Sequence, residues 1–215
     1  VKVHSAVDFV AGNLWFVPVE GNPREVGKLA SFAFVRVIRP VPKLRGIRPL
    51  QRSGGPSVGC SLPTEQALSS EPRVAILDGG LPKHHPIGPW LRSYRKLDED
   101  ADDDPHGPEH GLGVTSAVLF GPIQPNGTAG RPYAPVDHLR VLDKESAGEE
   151  PLELYRTLGL IEQVLLSRSY EFINLSLGPD LEVEGQEVHA CTSVIDDLLS
   201  DGDSLMTVAV GDNGE

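Results

Sequence analysis

Asp78-Gly79-Gly80 closes a short apolar run, Val74-Ala75-Ile76-Leu77. A carboxylate at the end of a buried strand is costly unless a partner meets it. A histidine stands 32 residues further on, in His110-Gly111-Leu112-Gly113-Val114-Thr115-Ser116-Ala117. At the head of a helix of small residues, an imidazole is free to move protons near neutral pH. Two more corners are polar and glycine-bearing: Ile173-Asn174-Leu175-Ser176-Leu177-Gly178 and Val208-Ala209-Val210-Gly211-Asp212-Asn213-Gly214. Singly, each has a plain structural reading. Asp78 reads as a turn aspartate or helix cap, and His110 as a surface histidine at a helix start. His106-Gly107 competes with His110-Gly111, but Pro108 interrupts any helical pattern directly after it.

The elements that would gather these corners begin near Arg73. Residues 74–77 (VAIL), 139–142 (LRVL), 171–175 (EFINL) and 205–210 (LMTVAV) read as four short apolar strands. Between them lie helical stretches: residues 110–120, residues 152–168 with Leu154, Leu158, Ile161 and Leu165 on one face, and residues 188–199 with a narrow apolar stripe. Strands apolar on both faces that alternate with amphipathic helices imply a parallel sheet covered on both sides. Right-handed crossovers then put the strand C-termini along one edge, where such sheets bind ligands. The expected fold is a three-layer α/β domain over residues 73–215, and all four corners fall on its C-terminal edge.

In this order the corners resemble the subtilisin-like serine proteases, the subtilases. That family shows Asp-Thr-Gly or Asp-Ser-Gly after a strand, then His-Gly-Thr opening a small-residue helix. A Ser-x-Gly substrate strand follows, then a Gly-Asn of the oxyanion hole and a Gly-Thr-Ser bearing the nucleophile. The Asp-then-His-then-Ser order is that of subtilisin. The resemblance covers residues 73–215. It implies a subtilisin-like fold truncated on its C-terminal side and a serine endopeptidase working through an acyl-enzyme. Asp78 would orient His110 and stabilise its imidazolium, and His110 would act as general base and then acid. Ser176, Leu177 and Gly178 would offer backbone to an extended peptide substrate. Asp212 and Asn213 would lie in the oxyanion-hole region. Gly79 replaces the family's Thr or Ser, and Leu112 and Gly113 replace its Thr and His. Asp212 stands where Asn is usual, and a carboxylate donates no hydrogen bond unless protonated. A few convertase-type subtilases carry Asp there too. No Gly-Thr-Ser occurs in the chain; Gly127-Thr128-Ala129 lacks the hydroxyl and precedes the second strand. The nucleophilic serine is therefore expected on a missing C-terminal part, and the 215 residues alone are expected to be inactive.

The remaining residues set bounds. A net charge of −12 argues against nucleic acid or an anionic membrane as partner. No apolar run approaches the roughly 18 residues of a membrane helix. The start at Val1 rather than Met reads as the interior of a longer protein or a processed end. Residues 1–38 hold candidate strands within 9–19 and at 30–38 (ASFAFVRVI), and read as a pro-segment or a plain N-terminal extension. Residues 39–72, dense in Pro, Gly, Arg and Ser, read as an extended linker. Cys191 reads as a buried free thiol. The resemblance implies no required cofactor. The acidic run 98–104 (DEDADDD) reads either as a calcium site, common in subtilases, or as a solvated loop. Two rival functions stay open: a pseudoprotease serving as a binding module, and a doubly wound nucleotide-binding domain, which would need a G-x-G-x-x-G that is absent.

Overall fold

The computed structural model describes residues 1–45, 59–146, 148, 150, 152–179 and 187–209. It begins with two small antiparallel pairs. Strand β1 (Lys2–Val3) pairs with β4 (Val19–Glu20), and β2 (Phe9–Ala11) with β3 (Leu14–Phe16). The β2–β3 hairpin turns through Gly12, whose φ of 56° suits glycine.

Residues 30–38 are not the expected strand. Helix α1 (Pro23–Ala30) takes up the start of that segment. Its start is a capping box: the Asn22 side chain accepts from the Arg24 and Glu25 amides at 3.1 and 3.0 Å, and Glu25 accepts from the Asn22 amide at 3.3 Å. Pro23 at the first position suits a helix start. The apolar residues beyond have β propensity but, among the described residues, no strand pairs with them. Phe32 and Phe34 pack on each other at 5.6 Å between ring centres, both exposed.

From Arg73 the chain is α/β, with five strands all parallel. They are β5 (Val74–Asp78), β6 (Leu91–Lys96), β7 (Val136–Arg140), β8 (Phe172–Leu175) and β9 (Leu205–Val208), in spatial order β6-β7-β5-β8-β9. Helices α2 (Gly107–Phe120), α3 (Glu153–Leu166) and α4 (Ala190–Leu199) link the last four. Alternate residues of β5 face opposite layers. Ala75 and Leu77 pack with Leu139, Ile173, Leu175 and the apolar stripes of α3 and α4. Ile76 packs with Val136, Trp90 and Leu119, on the side of α2.

Three boundaries differ from the sequence reading for physical reasons. β7 ends at Arg140 because the amides of Val141 and Leu142 both turn to the Asp78 carbonyl, at 2.9 and 3.3 Å. It begins three residues earlier than expected, where Asp137 and His138 break the apolar pattern yet are buried. α2 starts before His110, because Pro108 sits in the first turn, where no amide donor is needed. β6 was not foreseen: LRSYRK is polar and only part-buried, as a sheet edge allows.

The described parts of residues 39–72 contain no helix and lie along the α/β unit. Leu44 bridges Pro179, Ser61 bridges Thr128, and the Glu65 carbonyl accepts from the Trp90 indole at 2.9 Å.

The contact of α2 with the sheet is unusually close. Its buried residues are Gly107, Gly111, Thr115 and Leu119, one every four positions. A Cβ on Gly107 would stand 2.5 Å from the Gly79 carbonyl oxygen, and one on Gly111 would stand 2.0 Å from that of Gly80. Gly113 faces open space. Gly111→Ala is therefore expected to destabilise the chain by roughly 2–3 kcal/mol through forced overpacking. Gly113→Ala, with no clash to offset helix propensity, is expected to stabilise it by roughly 0.5–1 kcal/mol. Urea unfolding of the two variants checks the pair, and equal effects would contradict the close-approach account.

Candidate active site

Asp78 ends β5 and is completely buried. Its Oδ1 accepts from the Gly79 amide at 2.6 Å, and His110 Nδ1 lies 2.8 Å from the same oxygen. A carboxylate can only accept, so the shared proton sits on Nδ1. The neutral ring then carries its lone pair on Nε2. The His110 side chain is a quarter exposed. An acid-held imidazole with one nitrogen committed and the other available is the arrangement of a general base.

The hydrogen bond to Asp78 raises the His110 pKa above its usual value; burial opposes this, and the charge of Asp78 adds to it. The stabilisation from this pairing is complete below the unfolded value of 6.5 and fades as pH rises through the raised folded value.

The sheet register places the Asn174–Gly178 corner beside this pair. Leu77 of β5 pairs with Leu175 of β8, so Asp78 and Ser176 follow them side by side at the same edge. Asn174 Nδ2 donates to Ser176 Oγ at 2.7 Å, and Thr207 Oγ1 donates to Asn174 Oδ1 at 3.0 Å. Leu177 is buried. The Gly178 carbonyl is taken: the Arg45 amide donates to it at 3.0 Å, with Leu44 antiparallel to Pro179. The chain thus lays its own extended segment along the edge expected to bind peptide. Asp212 and Asn213 lie outside the described residues.

Comparison with protein-family models and with curated proteins gives no match. The site must be judged on its own chemistry.

The acidic run is tied to cations of the protein. Arg140, buried on β7, donates to the Ala101 carbonyl at 2.9 Å, to Asp103 Oδ1 at 2.5 Å and to the Asp98 carbonyl. Arg156 of α3 donates to Asp98 Oδ2 at 3.0 Å and to the buried Asp143 at 2.7 Å. Burial would raise the Asp103 pKa, but hydrogen bonds from Lys96 and Arg140 hold it below the usual value. Among the described residues no group of three or more His, Cys, Asp or Glu is placed to hold a metal ion. Nor, among them, is any helix long and apolar enough to cross a membrane. Cys191 is a buried free thiol whose pKa burial pushes up to about 11, and Cys60 is free and exposed.

Sequence reasoning missed His138. It lies on β7 opposite Ile76, two residues before Arg140, which pairs with Asp78. It is completely buried, with Nδ1 2.9 Å from Thr115 Oγ1. Burial lowers its pKa to about 4, against a smaller raising effect of the Asp78 charge, while His85 lowers it further. A histidine directly before the apolar run from Leu139 to Leu142 was the available signal.

Because the folded chain resists protonating His138, its neutral form is favoured above the unfolded value of 6.5. That stability is lost as pH falls from 6.5 toward about 4, a linkage of roughly 3 kcal/mol. Between pH 7 and 4, the wild-type chain is expected to lose that much more stability than His138→Gln. Parallel urea-derived stability curves for the two chains would contradict a buried neutral His138.

Proposed function

We propose that this chain supplies the acid and base of a serine-type peptidase resembling the subtilases. The observation that carries the reading is the 2.8 Å contact between His110 Nδ1 and a fully buried Asp78 at the C-terminal edge of a parallel sheet. In this reading Asp78 fixes the His110 tautomer and balances the imidazolium. His110 Nε2 takes the proton of a serine hydroxyl as it attacks the peptide carbonyl, then returns it to the leaving amine. Water enters the same cycle to release the acyl group. Ser176, Leu177 and Gly178 hold the peptide as an added strand. The serine comes from a segment beyond Glu215. The exposure of Leu205 and Val208 on β9 supports a further segment packing there. Asp212 or Asn213 would face the oxyanion, and no cofactor takes part.

A nucleotide-binding reading has less support. Gly79 and Gly80 turn their carbonyl oxygens toward the glycines of α2, whereas a phosphate loop needs backbone amides facing an open space. The first strand also leads to the sheet edge at β6 instead of to a neighbouring strand, unlike the doubly wound orders that bind nucleotides.

The N-terminal residues act as a pro-segment in this proposal. Phe9 packs into the α3–α4 layer, with its ring 5.8 Å from that of Tyr155. Arg36 pairs with Glu187 at 2.8 Å, and Arg39 reaches the Glu187 carbonyl at 3.3 Å. These contacts lead the chain to the Gly178 edge, where Leu44 and Arg45 hold the place of substrate.

Two outcomes are expected in the serine-containing parent. Asp78→Asn lowers kcat roughly 10⁴-fold, as in the triad precedent, because it leaves His110 in the wrong tautomer. Full turnover in that variant would reduce Asp78 to a structural role. Arg45→Pro, which removes the amide that bonds Gly178, increases cleavage of an added peptide relative to Arg45→Ala, which keeps that amide. Equal rates for the two would show that the segment does not compete with substrate.

A further inference from the structure

The glycines of α2 let the helix come close to the sheet and exclude large rotations, which would turn side chains onto Gly79 and Gly80. They offer no directional contact that fixes the rotation finely. The setting matters to His110. At a side-chain radius of about 5–6 Å, a helix rotation of about 20° carries an imidazole roughly 2 Å, enough to break its bond to Asp78.

One directional polar contact joins the buried face of α2 to β7. Thr115 Oγ1 donates to the Gly111 carbonyl at 2.7 Å, which commits its only proton. It can then only accept, so the 2.9 Å contact with His138 carries a proton on His138 Nδ1. The same imidazole is wedged against the first turns of α2: its Cε1 lies 2.9 Å from where a Gly111 Cβ would stand. Its register partner on β6 is Tyr94, whose ring lies 5.8 Å from it, centre to centre. Asp78 and His85 are the charged or titratable groups acting on it from β5 and from the loop that follows. His138 Nε2 and Asp78 Oδ2 are both buried and unpartnered. Both are bare acceptors in this tautomer, so His138 does not compete with His110 for the carboxylate.

We propose that Thr115 and His138 form a positioning pair that locks α2 in the rotation at which His110 meets Asp78. Its catalytic meaning rests on the peptidase reading; its geometry does not. Neither residue touches the reacting atoms. They act through the helix and through Gly111, next to His110 in the chain.

The test is histidine-selective NMR of the full 215-residue chain, following two signals of His110: the exchange of its Nδ1 proton with water and its titration. Variants are Thr115→Val, which keeps the shape and removes the hydroxyl, and Thr115→Ser, which keeps the hydroxyl. Thr115→Val is expected to stay folded by circular dichroism, exchange the His110 proton at least about tenfold faster, as for loss of one hydrogen bond, and bring the His110 titration down toward the usual 6.5. Thr115→Ser is expected to restore both signals. A folded Thr115→Val with wild-type exchange and titration would overturn the proposal. So would failure of Thr115→Val to fold, which would make the pair scaffold, or a Thr115→Ser chain that behaves like the Val variant. A wild-type His110 with neither a protected proton nor a raised titration would remove the Asp78 pair and the proposal with it. Absence of peptidase activity in the serine-containing parent would count against the function alone, because neither NMR signal depends on turnover.

Discussion

The site depends on one steric fact: the first turns of α2 lie against the Gly79–Gly80 turn at a distance that admits no side chain on either Gly107 or Gly111. Gly80 has a φ of 106°, which an L side chain rarely adopts, and the space above it holds the Tyr94 hydroxyl and the Arg140 stem. The turn after β5 and the head of α2 are thus shaped for each other. That contact brings His110 to the end of the strand, where Asp78 lies fully buried. Burial strengthens the resulting hydrogen bond and also makes it obligatory, since a buried carboxylate without partners would be costly.

Charge is arranged to leave that bond undisturbed. Arg140 pairs with Asp78 in strand register and could have been its partner. Its guanidinium instead runs past Gly80 into the acidic loop, where two carbonyls and Asp103 satisfy it. Arg156 binds the same loop to α3 through Asp98 and Asp143. The run of acids that reads from sequence as a calcium site or a solvated face is thus drawn against two arginines. It takes a cation that would otherwise compete with His110 for Asp78. His138, kept neutral by burial, adds no second competitor.

The sheet and the Asp78–His110 contact were legible because their signals are local and chemical. The run from Val74 to Asp78 is apolar until it ends in a carboxylate, and His110 is followed by small residues. What escaped was set by neighbours. The aromatic and β-branched residues 30–38 have the propensity for a strand, but the Asn22–Glu25 box had already started a helix, and among the described residues no strand pairs with them. Pro108 looked like a helix breaker because its position in the first turn was not apparent. The β6 strand has a polar edge sequence whose pairing with β7 depends on tertiary structure. His138 was hidden because a polar residue inside a strand suggests the strand has ended. Here Thr115, from a helix 23 residues away, partners its Nδ1.

The unequal burial of the pair gives the site a direction. Asp78 is sealed and His110 is a quarter exposed, so a proton can enter or leave only on the Nε2 side. Ser176 and Gly178 follow β8 at the same sheet edge, beside Asp78 in register. The backbone there is already engaged by residues 44–45 in antiparallel pairing. An added strand satisfies exposed main-chain groups without regard to its side chains, so under the proposed function a foreign peptide has to displace a segment that is already tethered beside the edge. The balance then rests on what anchors the internal segment. Leu44 is buried in the core, and Arg36 and Arg39 hold the residues around Glu187. The N-terminal region is thus fastened through Tyr155 of α3 and through Glu187, while its residues 44–45 lie at the edge that follows β8. None of these fastenings uses the atoms of the Asp78–His110 hydrogen bond.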